Sequence, residues 1–151
     1  FTRLHHSSIF HIVNKFQKNS KKSVIKFTSR RTATMPFIRM STNIDINADR
    51  DARLRSGLGR AIELIPGKTE RWLMIEIADN ARLGLGGDKD TPAAIFTLKA
   101  FGKEQSNECY DALTEKVSAL CHECLGISPD RVYIEYEVTG QWGWNGRNFG
   151  R

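Results

Sequence analysis

An α+β domain made from a repeated β-α-β unit is the fold class this sequence predicts. Apolar positions switch from strand period to helix period and back, and then do so again. Each helical stretch ends in turn residues, and an Arg stands just before the second strand of each half, in "GKTERWLMIEI" and "GISPDRVYIEY". Right-handed crossovers then give a four-stranded mixed sheet with two helices on one face. The other face, to which Ile38, Met74 and Ile77 are assigned, is expected to be apolar and covered by further copies of the chain.

The elements follow in order. "PFIRMST" is a short apolar strand that ends in Ser and Thr. "INADRDARLRSGLGRAIELI" places Leu54, Leu58, Ala61, Ile62 and Ile65 on one helical face, with Asn47 or Asp49 as cap. Pro66 and Gly67 stop that helix, and "WLMIEIA" reads as a strand buried on most of its length. A Gly-rich connection, "NARLGLGGDKDTP", leads to the strand "AAIFTLKAF" and to a helix from about Glu104 to Leu125, which Gly126 ends. "DRVYIEYEV" supplies the last long strand, with Val132, Ile134 and Tyr136 alternating against Tyr133, Glu135 and Glu137.

Charge is distributed unevenly. The formal charge is +6, yet residues 1–35 carry five Lys, three Arg and no acid, so residues 36–151 hold 15 basic and 17 acidic side chains. The basicity therefore belongs to an extension over 1–35, expected to be disordered or absent from the native mature chain, and the folded domain spans 36–151. An acid-free start rich in Ser, Arg and Lys has the composition of an organelle transit peptide, but translated upstream sequence or a fragment would look the same. No run is long and apolar enough for a secretory signal or a membrane span. A cytoplasmic protein is the expectation, with unconventional export or organelle targeting as alternatives. The three cysteines, with no secretory signal, suggest free thiols. Cys121 and Cys124 form a C-x-x-C, but both fall on the apolar stripe of the second helix, so core packing is preferred and no metal or cofactor is expected.

"MPFIRMSTN", "LGLGGDKDTPAAIFTLKAFGK", "ISPDRVYIEY" and "GWNGRNF" together resemble, in order and spacing, macrophage migration inhibitory factor and its relatives, including D-dopachrome tautomerase. The resemblance covers residues 35–151. It implies a homotrimer with active sites between subunits and an isomerase of the phenylpyruvate or dopachrome tautomerase kind. In that family the initiating Met is removed and the exposed Pro acts as general base for keto-enol tautomerisation; here that residue is Pro36. The resemblance further places Lys68 on the substrate carboxylate, Lys99 where relatives carry a His, and Tyr133 in the pocket, supplied by a neighbouring subunit. Phe37, Trp72, Phe101, Trp142, Trp144 and Phe149 fall on pocket or rim positions, where aromatic 2-oxo acids such as phenylpyruvate would stack.

Chemistry independent of the family supports the assignment of Pro36. A proline nitrogen inside a chain is an amide, whereas an amino-terminal one is a free amine that titrates near about 7.7 to 8.0 and falls toward neutrality in an apolar pocket or near cations. The plainer alternatives are a Pro at the start of an edge strand and a Lys68 that simply complements a helix end. Two positions depart from the pattern. Glu135 stands where relatives present an Asn, and it would repel an anionic substrate unless paired with Lys99 or Arg131. The positions of the family's own C-x-x-C hold Ala93 and Phe96. A cytokine-like binding protein on the same trimer, acting through a protein receptor, is the runner-up. An RNA-binding ferredoxin-like domain ranks below it, because aromatic recognition strands are missing and residues 36–151 are slightly acidic.

Overall fold

The computed structural model describes residues 35–150, so all of the 1–35 extension except Met35 lies outside the described residues. The main elements are β1 (Pro36–Thr42), α1 (Ala48–Ala61), β2 (Met74–Ala78), β3 (Ala94–Phe101), α2 (Asn107–Leu125) and β4 (Val132–Thr139). A hairpin of β5 (Gly143–Trp144) and β6 (Arg147–Asn148) follows. The sheet order is β2-β1-β3-β4, with β1 parallel to β2, β3 parallel to β4, and β1 antiparallel to β3 at the seam between the two units. The duplication extends to one-turn 3-10 helices, Glu70–Trp72 and Pro129–Arg131, which deliver the chain into β2 and β4.

Local chemistry sets the boundaries. The Asn47 side chain accepts a hydrogen bond from the Arg50 amide and starts α1. Ser106 caps α2, so that helix begins at Asn107 rather than near Glu104, and Gly126 ends it in the left-handed conformation at φ 71°. Alternate residues of the strands, Ile38, Met40, Ala94, Phe96, Leu98 and Val132, pack against Leu54, Leu58, Leu113, Val117 and Cys121 of the helices. Gly57 permits the two helices to approach closely, because a Cβ there would overlap the Leu120 side chain. Cys121 and Cys124 lie in this core, and burial, followed by the neighbouring Cys124, pushes the Cys121 thiol up to about 12. Neither is a poised nucleophile.

Three expectations need correction. β2 is an edge strand that alternates between exposed and half-buried residues, and Trp72 precedes it in a turn. β1 is an inner strand; Pro36 is tolerated because it is the first residue, paired with Ala100 of β3 but not with β2. Ile38 and Ile77 face the helices, so the uncovered sheet face is not a continuous apolar surface. Phe37, Met74, Ile95 and Tyr133 share that face with the ion pairs Arg39–Glu76 and Lys99–Glu137. Strand parity decides this, because a shift of one residue exchanges the two faces.

Candidate functional site

Pro36 is buried at the start of β1 and pairs with Ala100, which places it beside the end of β3. The turn after α1 supplies the second feature. Gly67, at φ 79°, turns the chain back after Pro66, and the Lys68 amide donates to the Ile65 carbonyl at 3.0 Å. The Lys68 side chain is thereby directed inward: the residue is only 7 % exposed, and its ammonium donates to the Phe101 carbonyl at 2.6 Å. Burial lowers its pKa from the ordinary lysine value, with no carboxylate among the described residues paired to it. A small cavity of about 10 Å³, large enough for roughly one water, lies beside it and is lined in part by Ala100, Tyr110 and Tyr136.

Aromatic side chains from distant parts of the chain continue the site. Trp72 meets Trp144 edge-on at 5.3 Å, Trp144 stacks near Phe149 at 6.3 Å, and Phe149 lies 6.4 Å from Phe101. The hairpin that carries Trp144 turns at Asn145 and Gly146, both with positive φ, which is the favoured two-residue geometry. The sequence reading omits this hairpin, although its Asn-Gly pair is a strong signal for one. Trp142 contributes through its main chain, accepting a hydrogen bond from the Phe149 amide at 2.9 Å. Pro36, Lys68, Phe101, Trp72, Trp144 and Phe149 thus gather at one end of the sheet.

Phe37 follows Pro36 in β1 and shares the sheet face of Phe101, whereas Lys99, Tyr133 and Glu135 do not join the site within this protomer. Phe37 pairs with Lys99 on the opposite sheet face from Pro36, where Lys99 donates to Glu137 at 2.7 Å. Tyr133 pairs with Ile95, five residues before Ala100, so it stands about 17 Å along the strands from the Pro36 row. It is 59 % exposed. Glu135 accepts a hydrogen bond from the Thr97 hydroxyl at 3.2 Å, and neither of the cations suggested for it is its partner. Arg131 instead holds the Gly-rich connection, donating to the carbonyls of Pro92, Asp88 and Thr91 and pairing with the Asp88 carboxylate. Asn43 clasps the same segment by accepting from the Ala93 amide and donating to the Lys89 and Thr91 carbonyls. These two structural clamps have no periodic signature, and only the fold reveals them.

Among the described residues, no group of three His, Cys, Asp or Glu side chains is placed to hold a metal, and no helix is long and apolar enough to cross a membrane. The paired β-α-β domain is shared with solved macrophage migration inhibitory factor structures, and the match to their family places the chain in the tautomerase superfamily. The sequence model described as macrophage migration inhibitory factor matches residues 35–150, and the chain belongs to that family. Macrophage migration inhibitory factor of Meriones unguiculatus is 29% identical over 119 residues, which cover 76% of this chain and 99% of that protein. Among solved structures, Leishmania major MIF2 superposes with a TM-score of 0.71 at 26% identity, covering 78% of this chain and 99% of that one. The homologue from Prochlorococcus marinus gives a TM-score of 0.67 at 27% identity over 76% of this chain and 99% of its own.

Proposed function

We propose that the protein is a keto-enol tautomerase of aromatic 2-oxo acids such as phenylpyruvate, with Pro36 as general base once Met35 has been removed. The observation that carries this reading is the meeting of Pro36, the inward Lys68 and an aromatic strip at one end of the sheet. Lys68 would hold the substrate carboxylate, since an ammonium in a dry setting binds an anion more strongly than one in water. The ring would lie against Phe101, Phe149 and Trp144. Pro36 would take the proton from the carbon next to the carbonyl, and the proton would be returned to the enolate oxygen. An amine whose pKa is lowered by apolar surroundings and by Lys68 suits that step near neutral pH.

Tyr133 stands about 17 Å along the strands from the Pro36 row, so a role for it requires a neighbouring copy, as the homotrimer implied by the family resemblance would supply. The test is ketonisation and enolisation of phenylpyruvate by protein whose amino terminus has been fixed by intact mass. A Pro36→Gly variant that keeps full activity would remove the assigned base.

A further inference from the structure

We propose that Arg71, with Arg147, forms a second anion-binding position at the outer end of the aromatic strip, so that the site favours aromatic 2-oxo acids with a second anionic group on the far side of the ring. This deepens the tautomerase reading and rests on it for the reaction, though not for binding. The strip has a cation at each end. At its inner end Lys68 sits on the Phe101 carbonyl, and three ring-to-ring steps of 5.3 to 6.4 Å lead through Phe149 and Trp144 to Trp72. At the outer end the Arg71 guanidinium lies over the Trp72 ring at 5.6 Å.

A cation–π contact uses none of the guanidinium's N–H donors, so the fork remains available for a carboxylate or similar oxyanion. Among the described residues Arg71 has no ion pair and no side-chain hydrogen bond. Its neighbour Glu70 does not supply one, being packed toward Gly59 of α1, where a Cβ would overlap its side chain. Arg147 pairs with Trp144 across the hairpin, so it shares that residue's face, and it too lacks an acidic partner among the described residues. Trp72 and Trp144 are 37 % and 45 % exposed in the single chain, so both rings are within reach of a ligand.

The experiment compares phenylpyruvate with (4-carboxyphenyl)pyruvate as substrates, and cinnamate with 4-carboxycinnamate as unreactive ligands followed by Trp fluorescence. It uses the mature protein with its amino terminus verified by mass. The carboxylated member of each pair should show KM or Kd lower by roughly two- to fivefold, the range for one exposed charge pair, with kcat little changed. Raising the salt concentration should erase the preference in the unmutated protein. Arg71→Gln should abolish most of it and Arg71→Lys should keep part, while thermal unfolding reports whether either variant folds. Equal preference in wild type and Arg71→Gln, or a preference insensitive to salt, would overturn the second anion position. If neither 2-oxo acid is turned over but the ligand preference depends on Arg71, the catalytic reading fails and this one stands.

Discussion

Lys68 donates its ammonium hydrogen to the main-chain carbonyl of Phe101 at 2.6 Å, one residue beyond the Ala100 that pairs with Pro36. A single neutral acceptor satisfies only part of a buried ammonium, and this is why desolvation lowers its pKa. The folded protein then binds fewer protons than the unfolded chain between that lowered pKa and the ordinary value of 10.5, so stability rises with pH across the window. Below the window the penalty for burying the charge is fully present. Relative to Lys68→Met, the wild type should therefore gain stability as pH rises toward 10.5, as read from urea unfolding at several pH values. The same substitution should cut kcat/KM for phenylpyruvate by about ten- to a hundredfold, the worth of a charged hydrogen bond.

The Asp88–Arg131 pair gives the same direction of pH dependence in an acidic window, but as a stabilising contribution at neutral pH rather than a burial penalty. The Thr91 hydroxyl, then the Thr91 and Asp90 amides and finally Arg131, hold the Asp88 carboxyl down to about 2 against an ordinary 3.8. A depressed folded-state pKa stabilises above the ordinary value, and the effect is lost as pH falls toward 2. Asp88→Ala should be less stable than wild type at pH 7, and the difference should shrink below pH 3.8. Arg131→Ala removes the donors of three carbonyls of the Gly-rich connection and should cost roughly 2 to 4 kcal/mol in chemical unfolding.

A site shared between copies predicts complementation. Tyr133 stands on a different sheet row from Pro36, so a Pro36→Gly subunit and a Tyr133→Ala subunit each keep one half of the site. Sedimentation at micromolar concentration should give a trimer. Refolding the two inactive variants together should restore a measurable fraction of wild-type turnover, whereas simple mixing without subunit exchange should not. No recovery after verified co-assembly would place Tyr133 outside the shared site.

Among the described residues, Glu135 is held only by the Thr97 hydroxyl. A neighbouring copy that brings it to the mouth of the site would set a carboxylate against the substrate's own charge. Glu135→Asn should then raise kcat/KM for phenylpyruvate by roughly two- to fivefold, the scale of an exposed charge interaction. An unchanged kcat/KM would show that this side chain does not reach the substrate.

The order of strands and helices was legible because each element announces itself locally. Leu54 and Leu58, or Val132 and Ile134, carry their period in neighbouring residues, and Asn47 and Gly126 mark ends by their own chemistry. Facing is harder to read: an apolar run such as "WLMIEIA" does not state its parity, so nothing local shows that Ile38 and Ile77 face the helices. The candidate site was legible only through resemblance. Nothing around Lys68 in the chain foretells that its ammonium meets Phe101, 33 residues away, and nothing near Arg131 foretells a clamp on Asp88 rather than a bond to Glu135. Such contacts depend on the seam between the two β-α-β units, which local patterns do not encode.

The junction at Met35 and Pro36 carries the most consequential prediction. The basic, acid-free start of the chain runs through this junction as far as Ile44, the family match begins at residue 35, and Pro36 is small enough at the second position to permit removal of an initiating Met. Pro36 opens an inner strand and lies beside the end of β3, next to the residue whose carbonyl engages Lys68. While residues 1–35 remain attached, the Pro36 nitrogen belongs to a peptide bond, its lone pair is delocalised, and it cannot accept a proton. A protein that begins at Pro36 should therefore tautomerise phenylpyruvate, and Pro36→Gly should be slower by about 10²- to 10⁴-fold, the range for loss of a positioned acid-base group. Protein shown by intact mass to retain residues 1–35 should be nearly inactive, and cleavage before Pro36 should restore activity without any change in sequence beyond it. Equal turnover by the extended and trimmed forms would refute an amine base at this position.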